Sequence, residues 1–561
     1  MMRQSFKQQL LSDPFLRHPT DNSVEVVWFT EFPGTQHLVN YGQHLEQKVI
    51  ADTTQLSRVR EDQQSWVGKQ NGDGTVYSQP TVRPIWRHIA KIPNLTPGVR
   101  VPYQVTSITA EGKRVESQIF SLSPKPQAGT PLKILLTSDH QLKPMVAANL
   151  QKAAETVKQI DGIFFAGDLV NVPDRASEWF DDNRGNSFFA CLQGRADYQL
   201  EQNSQKTVYH GAELIQNVPL FPVIGNHEVM GVFSTEKSLS QQFSQAYPRK
   251  AAEVLYQQQQ PQINPNHHPE FYQQWLKNHT FNTDTVEEIF SFPGNGKPYY
   301  GVTFGDVRLI CLYITNLWRI PTLEPDKRSK YRERESDFNY SETWGYGQQI
   351  FEPIKKGSEQ YNWLQQELQS SEFQQAKYKI VMFHHPPHSL GDNIIPAYTD
   401  PVQIIEKDEA GKIKMIRYEY PKEQDYIIRD VIPLLEIAGV QLVYFGHCHL
   451  WNRFVSLTGM HFLESSNVGN SYGAAYGDHR RFVPSGFTEE YIALGDPNGL
   501  KPVIPTVKPL LNENGKPFPF LSSNELTAFS ILDTEKGTVS SYYFDTRQPD
   551  SEAIKFDEFS L

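Results

Sequence analysis

Gly162-Ile163-Phe164-Phe165-Ala166-Gly167-Asp168-Leu169-Val170-Asn171 is a short apolar run that stops at Gly-Asp. Ile163 to Ala166 read as a buried strand of a mostly parallel sheet: continuously apolar, too short for a helix, bounded by glycine on both sides. Gly167 lets the backbone turn sharply at the strand's end. Asp168 is then the first polar side chain past the tip, the position where ligands bind in open α/β sheets. Gly-Asp is also an ordinary turn dipeptide, so its meaning depends on the rest of the chain. Four other short runs end the same way, on residue types that bind metals.

Around this strand the pattern alternates between strand and helix. KILLTSD (133–139) is a strand, and 144–160 reads as a helix with Pro144 near its first turn. Strand, helix, strand implies a parallel pair. LFPVIGNHE (220–228), YYGVTFGDVRLICLYIT (299–315, two strands around Gly305-Asp306), YKIVMFHHPPH (378–388), GVQLVYFGHCHL (439–450) and MHFLES (460–465) supply further strands. SEQYNWLQQELQSS (358–371) is a helix with Ser358 as N-cap. LTAFSILDT and GTVSSYYFDT form a closing hairpin around Glu535-Lys536-Gly537.

Upstream the chain reads differently. After a loosely ordered lead-in (1–21), residues 22–124 are all-β, with short strands such as VEVVWFTE (24–31), IWRHIAKI (85–92) and VPYQVTSI (101–108) between Pro, Gly and Glu-Gly turns. This is the pattern of a β-sandwich. Pro-rich 125–131 reads as a linker, and 132–550 as the α/β unit. Four insertions interrupt that unit, at 172–219, 229–297, 316–357 and 390–424, each long enough to carry structure of its own at the mouth of a cleft. The charged run DKRSKYRERE (326–335) reads as solvated surface.

Composition narrows the function. No apolar run approaches the ~20 residues of a membrane span. The N-terminus has no apolar signal core and no small-residue cleavage site, which predicts a cytoplasmic protein. Three widely spaced cysteines make no disulfide framework. A net charge of −11 argues against nucleic-acid or anionic-membrane partners.

The five strand tips are Thr137-Ser138-Asp139-His140-Gln141, Gly167-Asp168, Gly225-Asn226-His227-Glu228, Phe383-His384-His385-Pro386-Pro387 and Gly446-His447-Cys448-His449. Carboxylates, an amide and imidazoles together suit manganese, iron or zinc better than calcium. His447 and His449, at i and i+2 on an extended segment, would face one side and reach two neighbouring ions, with Cys448 turned away. A carboxylate can bridge such a pair, and two ions ~3.5–4 Å apart are a common solution for hydrolysing phosphate esters.

In this order the blocks resemble those of the calcineurin-like metallophosphoesterase family, D-x-H, GD, GNH[DE], HxP and GHxH, over about 131–465. The β-rich leader, with its Leu95-Thr96-Pro97-Gly98-Val99-Arg100-Val101-Pro102-Tyr103 phrase, resembles the fibronectin-type-III-like module of the purple-acid-phosphatase branch. The resemblance implies a β-sandwich followed by two packed mixed sheets flanked by helices, an αββα sandwich. It implies two metal ions: Asp168 bridging, Asp139 and His449 on the first, Asn226, His384 and His447 on the second. It implies His227 beside the leaving group, its ring held by Glu228, and hydrolysis of a phosphate-ester substrate by a hydroxide held at the two ions. A phosphomonoesterase is expected. A phosphodiesterase, or a metal- or phosphate-binding module, is the alternative.

Two positions depart from the family pattern. Gln141 stands where the first block has His, and Asn171 where the purple enzymes have a ligating Tyr. Gln141 could ligate through its amide oxygen, hold a water, or leave a position open. The roles of His140 and His385 are undecided by the sequence. His479-Arg480-Arg481 is a candidate contact for substrate phosphate or a carboxylate.

Overall fold

A computed structural model of the chain describes all residues except 1–8, 68–76, 295, 318, 346–349, 395–397, 506–509 and 512–514. Its larger unit is built on two sheets. The first runs in the order Leu220–Pro222, Gly162–Phe165, Lys133–Thr137, Leu526–Asp533, Thr538–Asp545, Ile554–Ser560. Its first three strands are parallel, with Leu135 opposite Ile163 and Phe164 opposite Phe221. The closing hairpin joins antiparallel, and a third strand, Ile554–Ser560, extends the unit past residue 550. The second sheet runs Tyr300–Phe304, Val307–Cys311, Tyr378–Met382, Leu442–Phe445, His461–Ser465, Trp451–Val455, Phe520–Leu521.

Side-chain alternation along these strands builds the layers. Ile134, Leu136 and Phe164 face the second sheet and pack with Leu309, Ile380, Met382 and Leu442. Their neighbours Leu135, Ile163 and Phe165 point outward, onto Leu150 and Ala153 of helix Val146–Val157. Val381, Val443 and Phe445 cover the far side with Leu364 and Leu435 of helices Glu359–Glu367 and Ile432–Ile437. The result is the expected αββα sandwich. Strands buried on both faces read as unbroken apolar runs, which is why they were legible. Ser358 caps its helix, its hydroxyl accepting from the Tyr361 N–H.

The N-terminal region is two packed antiparallel sheets, and it is not merely appended. In Val24–Thr30, Val24, Val26 and Trp28 fill the sandwich interior, whereas Val27 and Phe29 face the other way and join the core that holds Leu135 and Phe165. The lead-in expectation needs correction. Residues 1–8 lie outside the described residues, but Phe15–Arg17 pairs with Val24–Thr30, and Leu10, Leu11, Phe15 and Leu16 are buried. Apolar residues in that segment complete both cores, so it is fixed.

The charged run also differs from expectation. Lys330, Tyr331, Arg332 and Glu333 are buried. The inserted hairpin Val402–Lys407/Ile413–Glu419 covers them, the Tyr418 hydroxyl donates to Glu333 (2.9 Å), and Lys330 donates to the Ile394 carbonyl (2.5 Å). The middle of the run is thus held by protein partners, whereas Asp326, Lys327 and Glu335 are exposed, as expected of solvated surface. The insertion 229–297 folds into helices Leu239–Phe243, Arg249–Ile263, Pro269–His279 and Asp284–Phe290.

One element of the sandwich ties stability to pH. His37 and His88 stack at 3.6 Å, and His88 bridges the hydroxyls of Thr30 and Thr53, each at 2.9 Å. Burial, then the neighbouring His37, pushes the His88 imidazole down to about 2. Unfolded, it would titrate near 6.5, so below that pH the unfolded chain binds the extra proton and stability falls. Denaturant unfolding at pH 7.5 and 5.5 is expected to show a total loss of about 1.4 kcal/mol from this residue, with a shallower pH dependence in His88→Gln. An unchanged slope would count against it.

Candidate metal centre

The five tips meet at the C-terminal ends of the parallel strands. Asp168 lies in the middle. Its Oδ1 accepts the backbone N–H of His227 (2.9 Å), and its Oδ2 accepts from Gln141 Nε2 (2.7 Å) and lies 3.2 Å from His384 Nε2. Asp139 is completely buried. Its Oδ2 accepts from the Ser138 hydroxyl and the His447 N–H, while its Oδ1 has no hydrogen-bond partner among the described residues and lies 3.5 Å from His449 Nε2. Asn226 Oδ1 sits 3.2 Å from His384 Nε2 and 3.1 Å from His447 Nδ1. All six expected ligands therefore converge, with His227 at the edge.

Four imidazoles are oriented by main-chain carbonyls. His384 Nδ1 donates to Ala166 O (2.7 Å), His447 Nε2 to Asn393 O (2.9 Å), His449 Nδ1 to Asn470 O (2.9 Å) and His227 Nδ1 to Asn171 O (2.8 Å). Each bond places a proton on the outer nitrogen and leaves the inner one to the cluster, as at metal-binding histidines generally. This corrects the role given to Glu228. Its carboxylate accepts the N–H groups of Asp168, Leu169 and Gly225 (2.7–2.8 Å) and shapes the loop under Asp168. Burial and then the Asp168 charge push its carboxyl up to about 8, against those donors. Asn171 does use its side chain, but to tie Gln141 O (2.7 Å), not to reach the cluster.

The backbone is bent hard here. Asp139, Gln141, Asp168, His447 and His449 all have φ between +43° and +84°. So the expected extended His447-x-His449 segment is a bend following Leu442–Phe445: left-handed residues aim the two rings, and strand alternation does not. Cys448 is nonetheless buried. Two glycines permit the close approach. A Cβ on Gly225 would lie 2.2 Å from Asp168 Oδ1, and one on Gly446 2.2 Å from Asp139 Oδ2. Gly446→Ala is expected to lower metal affinity at least tenfold, the scale of losing a supporting contact, as read by competition with a chromogenic chelator. Unaltered affinity would mean that Asp139 is not held for a metal.

The remaining polar groups sort by contact. His140 bonds Thr137 (3.0 Å) and packs edge-on to Phe165, a packing role. His385 bonds Thr315 (2.8 Å) and stacks on His447 at 3.9 Å with 28° between the planes. A ring's lone pair lies in its plane, so two rings so stacked do not aim at one ion. Arg481 donates to the carbonyls of Ser389, Gly391, Ile492 and Gly495, and Arg480 pairs with Glu490, so neither is free for phosphate. The sequence reading missed Lys143. It is buried, its ammonium has no hydrogen-bond partner among the described residues, and burial draws it down to about 8 although Asp139, Asp168 and Glu464 pull upward. Its place two residues beyond Gln141 was the available signal.

The donor set fits a metal. Asp139, Asp168 and His384 present ligand atoms within 4.8 Å of one another; His384, His385 and His447 are as close, but the stacking of His385 on His447 sets that trio aside. Buried acceptors crowd together without enough protons between them, and Asp139 Oδ1 is unpartnered. Without an ion, burial opposes charge on Asp168 and His384, yet their mutual attraction wins, drawing Asp168 down to about 2 and raising His384 to about 9.

A family model described as calcineurin-like phosphoesterase matches residues 132–450. The chain belongs to the calcineurin-like phosphoesterase family. It is thereby a phosphoester hydrolase of a metal-using family, with phosphate esters as substrates. Among solved structures it is similar to a purple acid phosphatase from yellow lupin (Lupinus luteus) seeds, with a TM-score of 0.51 and 14% identity over 98% of this chain and 74% of that one. At that identity the likeness concerns the fold, β-rich N-terminal region included. A dimetal phosphatase from Danio rerio matches at a TM-score of 0.32 and 11% identity, over 76% of this chain and 99% of that one. No curated protein sequence matches. Among the described residues no helix is long and apolar enough to cross a membrane.

Proposed function

We propose that this phosphoesterase hydrolyses phosphate monoesters at a centre of two transition-metal ions, manganese, iron or zinc. The observation that carries the reading is the convergence of His384, His447, His449 and His227, each pinned by a carbonyl, around Asp168 and Asp139. Asp168 would bridge. Asp139 and His449 would hold the first ion, and Asn226, His384 and His447 the second. Gln141 already lies against Asp168, and a flip of its amide would offer Oε1 to the first ion. Ions held there would activate water as a nucleophile near neutral pH and neutralise charge on the phosphoryl oxygens.

His227 does the proton work. Asn171 O accepts from Nδ1 whatever the charge of the ring, so the proton that comes and goes is at Nε2, where it can be given to the leaving oxygen. Asn226 and the backbone donors under Asp168 fix the positions of the reacting groups. Lys143 adds a buried positive charge facing Asp139 and Asp168, which supports a doubly charged monoester over a singly charged diester. The test is turnover of p-nitrophenyl phosphate against bis-p-nitrophenyl phosphate with manganese, iron, zinc or magnesium. Faster diester hydrolysis would overturn the monoester assignment. Inactivity on both with every metal would favour the binding-module reading.

A further inference from the structure

Two aromatic rings meet the centre's histidines from outside the five blocks. Tyr472 stacks on His449 at 4.7 Å with 27° between the planes, and it is 49% exposed. Phe243 packs on His227 at 5.1 Å with 33° between the planes. Phe243 comes from the insertion 229–297, on helix Leu239–Phe243, and it closes a small apolar cluster of Val172, Met230 and Leu239. Phe243 therefore sets an aromatic ring, backed by an apolar cluster, against His227. Tyr472 has a second orienting contact, Asn470 Nδ2 to its hydroxyl at 3.4 Å, from the residue whose carbonyl holds His449.

A half-exposed tyrosine fixed flat against a ligand histidine leaves its ring open for a second planar group. Aromatic faces favour such stacking, each worth about three- to tenfold in binding.

We propose that Phe243 and Tyr472 select phosphate esters whose esterified group is a flat aromatic ring, held against one or both of these side chains. The inference rests on the phosphoesterase reading above, and a binding measurement separates the two. Binding of phenylphosphonate and methylphosphonate to the metal-loaded protein is measured by calorimetry for the wild type, Phe243→Ala, Tyr472→Ala, Tyr472→Phe and the double alanine variant, each with its metal content determined. The wild type is expected to prefer the phenyl compound by at least tenfold. Each alanine should cut that preference about three- to tenfold, and Tyr472→Phe should retain it. A preference unchanged in the double variant, or absent from the wild type, overturns the inference and leaves the phosphoesterase reading standing. If neither phosphonate binds, the phosphate site itself is wrongly placed.

Discussion

Asp168→Ala is expected to lower metal-supported turnover by more than about 1,000-fold, equivalent to at least ~4 kcal/mol of transition-state stabilisation. The reason is positional. Asp168 touches groups from three of the other tips: the His227 N–H, Gln141 Nε2 and His384 Nε2. Without it the two halves of the cluster lose the anion that would bridge them, and His384 loses the charge that faces it. Metal content per chain, measured by atomic emission on the purified variant, should fall with activity. The fold should survive, because the loop backbone is tied independently through Glu228. Full activity in a metal-analysed Asp168→Ala protein would sink the assignment.

The second large effect belongs to His227. His227→Gln is expected to slow alkyl phosphates by roughly 100- to 10,000-fold, the usual contribution of a general acid. For p-nitrophenyl phosphate, whose leaving group needs little help from a proton, the loss should be below about tenfold. The diagnostic is thus the dependence of rate on leaving-group pKa: shallow in the wild type and steep in the variant. An equal loss on both substrates would assign His227 to phosphate binding in place of proton transfer. Metal content should be unaltered, since the residue stands at the cluster's edge.

Much of this was legible because the strands are buried on both faces. Gly162–Phe165 and Leu442–Phe445 read as unbroken apolar runs, Lys133–Thr137 and Tyr378–Met382 as largely apolar ones, and each stops shortly before a ligand. What the sequence could not reveal was how the ligands are held. The carbonyls of Ala166, Asn171, Asn393 and Asn470 orient the histidines, and a carbonyl carries no sequence label. A carboxylate next to His227 was the visible candidate, so Glu228 was given work that Asn171 does through its backbone. The middle of the charged run escapes the sequence for a related reason. A run of charges looks solvated until the hairpin that covers it, from 402 to 419, is in place. Phe243 and Tyr472 lie outside the five blocks in sequence, and only the fold brings them to the centre.

The left-handed bends at Asp139, Gln141, Asp168, His447 and His449 set durability against catalysis. A residue with a Cβ held there costs on the order of 1 kcal/mol or more, so five of them reach about 5 kcal/mol, a large part of a typical domain's margin. Glycine would relieve each one. A variant library sorted only for heat tolerance should therefore drift toward glycine at these five positions and yield sturdier proteins that have lost the centre. Any effort to toughen this phosphoesterase has to select for turnover at the same time.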